Sequence, residues 1–147
     1  MTPTIELTDT PDWGIWHSLA RPLTAYNEQQ AGPENTRFLI LLLCQPDTAE
    51  ILGGLWGRTM YQWLYVHLLF IPESMRRQRL GTTLMQRAEA EALARGCRGA
   101  LVDTFSFQAR PFYERLGYRV LATVEDYPPG HAYFCMKKQL DAAQPGS

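Results

Sequence analysis

The fold is decided by the stretch Leu64-Tyr-Val-His-Leu-Leu-Phe-Ile71-Pro72-Glu-Ser-Met-Arg76-Arg-Gln-Arg-Leu-Gly81-Thr-Thr-Leu-Met85. The mostly apolar run from Leu64 to Ile71 predicts a buried strand, and Pro72 ends it in a turn. Three arginines and Gly81 then lead into an apolar repeat of helical spacing. A strand that continues through a cationic loop into a helix gathers free backbone N–H groups and guanidinium groups at one point. The stretch therefore predicts a binding site for phosphate groups.

The length of the chain indicates one domain, and its balanced charge argues against general binding to nucleic acids or membrane surfaces. A chain of 147 residues has an ordinary domain size and buries about two thirds of its unfolded surface, so we predict a single domain over residues 1–147. Lys and Arg number 14 against 15 Asp and Glu. Because nucleic-acid and membrane-surface binders normally carry a basic excess, we expect neither partner. Only the local arginine cluster favours contact with RNA.

The cysteines and the hydropathy pattern indicate a reducing compartment. Cys44, Cys97 and Cys135 lie far apart without metal-ligand spacing. An odd number of cysteines in a chain without a secretory pattern favours free thiols. No apolar run approaches the roughly 20 residues of a membrane helix. We expect a cytoplasmic protein that holds no metal.

The first half of the chain predicts one strand, helices and then three successive strands. Alternation predicts a strand over Thr4–Thr8, and helical spacing with an internal Pro22 predicts two short helices within Trp13–Ala31. Gly53 and Gly54 indicate a bulge or a close approach of two backbones. The three strands of the predicted antiparallel meander are Phe38–Cys44, Ile51–Thr59 and Tyr61–Ile71.

The second half predicts a crossover followed by a short helix and two strands. The apolar repeat that begins at Leu80 predicts a helix ending at Arg95-Gly96, and Gly99–Phe105 predicts a strand parallel to the one before the helix. The remaining predicted elements are a helix over Gln108–Leu116, strands over Tyr118–Val124 and Ala132–Lys138, and a disordered tail over 141–147. The fold class is therefore α/β (α+β): a mixed, mostly antiparallel central sheet of about six or seven strands with helices on both faces.

Two motifs in this order resemble the GNAT superfamily of acetyl-CoA-dependent N-acetyltransferases. The first is Arg76-x-x-Arg79-x-Gly81, after a strand that ends Phe70-Ile71-Pro72. The second is Ser106-x-x-Ala109-x-x-Phe112-Tyr-Glu-Arg-Leu-Gly117-Tyr118. The resemblance covers nearly the whole chain and implies a GNAT-like fold that uses acetyl-CoA as cosubstrate.

The resemblance implies that the loop before the helix binds the pyrophosphate of CoA. Arg76 and Gly81 match the family pattern, whereas Arg77 and Arg79 stand where many members have glycine. A left-handed backbone at those two positions would carry a β-carbon, which puts tight closure of the loop in doubt. The implied cofactor-binding residues of this loop are Arg76, Arg77, Gln78, Arg79, Leu80, Gly81 and Thr82.

The resemblance also implies contacts with the pantetheine arm of the cosubstrate. In the family, the strand before the loop splays from its parallel neighbour and leaves backbone groups free near Leu69, Phe70 and Ile71. Ser106 stands where many members have an asparagine that bonds the pantetheine arm. We expect all four residues to bind CoA, the first three through the main chain alone.

Acetyl transfer to an amine needs a base for the amine and an acid for the departing thiolate. His67 lies where many relatives carry a carboxylate that accepts the proton of the amine, and we expect it to share a strand face with Tyr65 and Leu69. Tyr113 aligns with the family tyrosine that protonates the CoA sulfur. We predict these two as the catalytic residues, although each also suits a structural role in the core.

The acceptor site is less defined in the sequence. Asp103 and Thr104, at the end of the crossover strand, either steer the amine or bond local backbone, with the local role favoured. Several aromatic residues are candidates for the acceptor pocket, although core packing is the safer interpretation of each: Trp16, Tyr26, Trp56, Trp63, Tyr65, Tyr127 and, with them, His131.

We therefore predict an acetyltransferase that moves the acetyl group to a primary amine by direct attack in a ternary complex. The acceptor is a small-molecule or a protein amine, and a homodimer is possible. The alternative is a non-catalytic CoA-binding regulatory or sensing module, because arginines replace loop glycines and His67 replaces an acidic residue. A route through acetylated Cys44 or Cys97 is disfavoured, since neither residue falls in the two motifs.

Overall fold

The computed structural model describes residues 1–141. The chain divides into two units, Met1–Glu34 and the remainder from Asn35. The single domain over residues 1–147 stays a prediction. The predicted disordered tail, 141–147, lies outside the described residues apart from Asp141. No helix among residues 1–141 combines the length and the apolar character needed to cross a membrane.

The first unit contains one helix, α1, at Trp13–Ala31. Its start is fixed by Asp12, whose carboxylate accepts a hydrogen bond from the N–H of Ile15 at 3.1 Å. The prediction of two helices is wrong, because α1 continues through Pro22 and ends before Gly32. The strand predicted over Thr4–Thr8 is also wrong: no strand pairs with this segment in the described chain, and alternation alone does not make a strand.

The second unit is built on a six-stranded sheet in the order β1-β2-β3-β4-β6-β5. β3 and β4 are parallel and every other neighbouring pair is antiparallel, as the sequence predicted. The strands are β1 at Arg37–Cys44, β2 at Ile51–Met60, β3 at Trp63–Phe70, β4 at Gly99–Phe105, β5 at Arg119–Glu125 and β6 at Ala132–Gln139. The helices are α2 at Leu80–Ala94 and α3 at Arg110–Arg115, and a short 3-10 turn lies at Glu73–Met75.

The predicted boundaries differ from the structure where local turns form. Tyr61 and Gln62 adopt positive φ angles of 48° and 64°, which makes the two-residue turn of the β2–β3 hairpin. β3 therefore begins at Trp63, two residues later than predicted. The close backbone approach predicted at Gly53 and Gly54 is confirmed, since a β-carbon on Gly54 would overlap the carbonyl oxygen of Leu41.

The core of this unit lies between one face of the sheet and the two helices. Both α2 and α3 contribute to a single hydrophobic cluster with the inward residues of β1 to β4 and β6. Helix coverage of the other face stays a prediction. The cluster includes Leu39, Leu55, Leu64, Val66, Ala100, Val102, Phe134 and Met136 of the strands, with Met85, Ala88, Ala92 and Tyr113 of the helices.

Candidate active site

The site is a gap in the sheet where the parallel strands separate. β3 and β4 pair from Trp63 opposite Gly99 to Val66 opposite Val102, and no further pair follows between them in the described chain. Beyond this point β3 stays paired with β2, and β4 stays paired with β6. Two strands held by different partners therefore diverge. The gap opens into a cavity of about 930 Å³.

A β-bulge at His67 marks the start of this divergence. In the β2–β3 ladder Leu68 pairs with Trp56 and Val66 pairs with Gly57, so His67 is the extra residue. The prediction that His67 shares a strand face with Tyr65 and Leu69 is half right. His67 does lie beside Tyr65, with ring centroids 5.8 Å apart, but Leu69 packs against the core on the other face. The bulge shifts the alternation by one residue, and a single sequence pattern does not show that shift.

We call residues 76–82 the phosphate-type loop, and two of its arginines adopt positive φ angles. Arg77 and Arg79 have φ angles of 76° and 60°, in the region where glycine is usual. Arg79 is the N-cap of α2, and the carbonyl oxygen of Arg79 accepts from the N–H of Thr83 at 3.0 Å. The N–H groups of the first helical turn have no acceptor inside the helix. The residues of this turn, Leu80, Gly81 and Thr82, line the cavity.

Arg76 and Gly81 shape the wall between this loop and the strand gap. The guanidinium Nε of Arg76 donates to the carbonyl oxygen of Ile71 at 3.1 Å, which fixes the arginine against the end of β3. A β-carbon on Gly81 would lie 3.2 Å from the ring of Phe112 on α3. Glycine at this position therefore lets α2 and α3 approach each other at the edge of the cavity.

Tyr113 reaches the cavity from α3. Its side chain is buried, and burial raises the pKa of its phenol to about 12. The ring contacts Phe112 and Tyr118 at centroid distances of 5.1 and 5.9 Å. The hydroxyl takes part in none of the hydrogen bonds found within residues 1–141, and because no fully buried side-chain polar atom there lacks a partner, this oxygen keeps contact with the cavity that Tyr113 lines. Tyr113 thus presents a protonated hydroxyl that is available to a bound molecule.

Most of the predicted site residues meet in this one cavity. Gln78 and Ser106 lie outside its lining. The hydroxyl of Ser106 accepts from the N–H of Ala132 at 3.0 Å, which joins the end of β4 to the start of β6. The predicted residues that line the cavity are His67, Leu69, Phe70, Ile71, Arg76, Arg77, Arg79, Leu80, Gly81, Thr82 and Tyr113.

The structure brings together a group of polar and aromatic side chains that the sequence did not predict as a cluster. The hydroxyl of Tyr65 donates to Oδ2 of Asp103 at 2.7 Å, and Tyr133, Phe105 and Phe107 line the cavity beside them. The alternation of side chains along each strand could have indicated this group from the sequence. Asp103 and Phe105 share a face of β4, and pairing with β6 places Cys135 and Tyr133 opposite them.

The local role predicted for Thr104 agrees with its contacts. Its hydroxyl accepts from the N–H of Ala109 at 3.3 Å, in the turn before α3. Asp103, whose partner is the side chain of Tyr65, has no such backbone role in the described chain. Both residues line the cavity, but Thr104 bonds the backbone of the turn, whereas Asp103 bonds a side chain of another strand.

The gap between β3 and β4, the start of α2 and Tyr113 lie together, as the resemblance to the acetyl-CoA-dependent transferases implies. The chain belongs to the Acetyltransferase (GNAT) family, whose model matches residues 5–118. It is accordingly an acetyltransferase, and the acyl donor of this family is acetyl-CoA.

Two curated proteins and one solved structure are similar over most of the chain. Blasticidin-S acetyltransferase of Streptomyces morookaense is 39% identical over 122 residues, which are 82% of this chain and 79% of that protein. Acetyltransferase Atu2258 of Agrobacterium fabrum is 36% identical, over 91% of this chain and 97% of that protein. A crystal structure described as an acetyltransferase from Agrobacterium tumefaciens superposes with a TM-score of 0.88 and 35% identity, over 93% of this chain and 99% of that chain.

The residues present fit the donor of this family. One cavity is lined by the open edge of β3, the first turn of α2 and the arginines of the loop. Because residue 81 is glycine, no side chain projects from that point of the cavity wall. Backbone N–H groups at a helix start suit a pyrophosphate. No group of three or more His, Cys, Asp or Glu residues among those described is placed to hold a metal ion.

Proposed function

We propose that this chain transfers the acetyl group of acetyl-CoA to a primary amine by direct attack in a ternary complex. The observation that carries the proposal is the separation of β3 from β4 beyond Val66 and Val102. One cavity then holds the phosphate-type loop together with His67 and Tyr113. A donor bound along it would present its thioester between a base and an acid.

The part of the cavity beside α2 binds acetyl-CoA through positive charge and through backbone hydrogen bonds. The N–H groups of the first turn of α2 and the helix dipole favour a pyrophosphate, and Arg77 and Arg79 add side-chain charge. The unpaired edge of β3 near Leu69 and Phe70 offers backbone groups to an amide-containing arm. Arg76 already donates to the carbonyl of Ile71, so we expect Ile71 to contribute less through that oxygen.

The chemistry requires one proton to leave the amine and one to reach the sulfur. His67 accepts the proton of the amine nitrogen, directly or through water, as a carbon–nitrogen bond forms at the acetyl carbonyl. Backbone N–H groups on the open edge of β3 stabilise negative charge on the carbonyl oxygen. The carbon–sulfur bond then breaks, the hydroxyl of Tyr113 donates its proton to the departing thiolate, and the phenolate regains a proton from solvent. The raised pKa of about 12 means that the phenol is protonated when the donor binds.

Two features support a small-molecule acceptor. A relative that is 39% identical is named Blasticidin-S acetyltransferase, which makes blasticidin S the first acceptor to test. Side chains of three neighbouring strands, Tyr65 of β3, Phe105 of β4 and Tyr133 of β6, converge on one part of the cavity, which suits a compact acceptor. A protein amine is the other acceptor class.

The test is release of free thiol from acetyl-CoA across a panel of amines. The panel contains blasticidin S, an aminoglycoside, a peptide with a free N-terminus and a peptide with a single lysine. Saturable release with at least one amine, and no release without an amine, is the expected result. Binding of CoA with no turnover on any amine would overturn transfer and leave the non-catalytic CoA-binding module as the explanation.

A further inference from the structure

Asp103 places a negative charge in the cavity wall that no cationic side chain of the described residues pairs with. No Lys, Arg or His within residues 1–141 forms an ion pair with it. The hydroxyl of Tyr65 donates to it at 2.7 Å, and the hydroxyl of Tyr133 and the thiol of Cys135 also interact with it as hydrogen-bond donors, whereas a carboxylate accepts about four such bonds. The guanidinium of Arg58 lies 6.0 Å from the ring centroid of Tyr65, and it makes no ion pair with Asp103. The carboxylate therefore has capacity for an external donor.

An aromatic wall adjoins this carboxylate. We use that name for Tyr65, Phe105, Phe107 and Tyr133, which all line the cavity. The ring of Phe105 lies 5.4 Å from that of Phe107 and 5.5 Å from that of Tyr133. Burial, and next the neighbouring Asp103, raise the pKa of Tyr133, so its ring stays uncharged beside the carboxylate. Neutral aromatic faces around a carboxylate are suited to a cation, which gains from both.

The carboxylate of Asp103 lies on the face of the sheet opposite α2 and α3. Val102 and Thr104 are buried on the face that carries α2 and α3, so Asp103 between them projects to the other face. The phosphate-type loop and Tyr113 belong to the helix-covered face. A donor bound at α2 reaches Asp103 only through the gap between β3 and β4, whereas an acceptor arriving from the opposite face meets Asp103 directly.

We propose that Asp103 and the aromatic wall form a subsite for a second positively charged group of the acceptor, an ammonium or guanidinium that is not itself acetylated. The inference rests on the proposed acetyl transfer and names the substrate class: amines that carry at least two positive charges. The nitrogen to be acetylated must lose its proton, and a carboxylate beside it would hold it in the charged form. Asp103 is therefore better suited to the charge that persists through the reaction.

The test compares two probes that differ in one charged group. Agmatine carries an ammonium and a guanidinium, and n-butylamine carries the ammonium alone. Binding of each to the CoA-saturated protein is measured by calorimetry, which requires no turnover. We expect agmatine to bind about 10- to 100-fold more tightly than n-butylamine, the range for a charge-assisted hydrogen bond with an aromatic contribution.

Three variants test whether the preference for agmatine over n-butylamine depends on Asp103. Asp103→Asn keeps the shape and the acceptor for Tyr65 but removes the charge, so the preference for agmatine should fall to about threefold or less. Glu125→Gln removes one charge from an exposed residue of β5 outside the cavity and should leave the preference unchanged. Tyr65→Phe keeps the carboxylate and the ring, and we expect the preference to persist. A purely structural bond between Tyr65 and Asp103 predicts the same loss in Tyr65→Phe as in Asp103→Asn.

The outcomes separate the subsite from the transfer reaction. Equal binding of the two probes to the unmodified protein, or an unchanged preference in Asp103→Asn, would overturn the subsite even if amines are acetylated. An agmatine preference that depends on Asp103, with no turnover of any amine, would support the subsite and reject the transfer. Should Asp103→Asn not fold, Tyr65→Leu removes part of the wall while retaining Asp103, and a preference unchanged in that variant would count against the proposal.

Discussion

Replacing Tyr113 with phenylalanine separates proton donation from packing. The hydroxyl takes part in none of the hydrogen bonds found within residues 1–141, so its removal leaves no buried donor or acceptor unpaired. The ring contacts with Phe112 and Tyr118 remain. The free energy of unfolding should change by about 0.5 kcal/mol or less, which corresponds to about 2 °C or less in Tm for a chain of this size. The turnover number should fall about 10²- to 10⁴-fold, or about 2.7 to 5.4 kcal/mol of transition-state stabilisation.

Tyr118→Phe is a matched control, because it makes the same substitution in the adjacent ring. The hydroxyl of Tyr118 donates to Glu89 at 2.9 Å, and both residues are buried. Glu89 would retain only Lys138, at 2.6 Å, so this variant should lose about 1.5 to 3 kcal/mol of stability and about 3 to 12 °C of Tm. Turnover by its folded fraction should stay near that of the unmodified protein.

The assay is kcat by thiol release on the best amine of the panel, with Tm and CoA affinity measured on the same preparations. The expected pattern is a loss of kcat in Tyr113→Phe, a loss of Tm in Tyr118→Phe, and unchanged CoA affinity in both. Normal kcat with a lowered Tm in Tyr113→Phe would show that Tyr113 is structural, and the reasoning from its unpartnered hydroxyl would be wrong.

Two further predictions concern the base and the phosphate-type loop. His67→Gln removes the proposed base, so kcat/KM should fall about 10²- to 10⁴-fold while CoA still binds; an unchanged kcat/KM would assign the base to water or to another group. Reversing charge at Arg76 and Arg79 together should reduce the rise in Tm caused by CoA, whereas the same reversal at Arg115 and Arg119, outside the cavity lining, should not. Dephospho-CoA raising Tm as much as CoA would argue against contact with the ribose phosphate, and an unaffected response in the loop variant would remove both arginines from the site.

Sequence periodicity was sufficient for the strands and helices that carry the site. The crossover β3–α2–β4 is confirmed because each element has a distinct local signal: a continuous apolar run, a repeat of period four, and a second apolar run after Gly96. The errors fall where local signals conflict or lack a partner. Pro22 is tolerated inside α1, and the alternation at Thr4–Thr8 forms no strand in the described chain. Propensity is local, whereas a strand exists only when another strand pairs with it.

The features of the site also fall into those that the sequence predicted and those that only the tertiary structure shows. The sequence of the loop alone indicated a phosphate site, because loop and helix-start chemistry is encoded by neighbours in the chain. The roles of His67 and Tyr113 were predicted from the resemblance to the family. The bulge that turns Leu69 toward the core, the left-handed arginines, and the contact between Tyr65 and Asp103 appear only in the tertiary structure. Tyr65 and Asp103 are 38 residues apart and lie on two strands. Their distance is set by the register of the ladder and by where it ends, which depends on the packing of all the strands together.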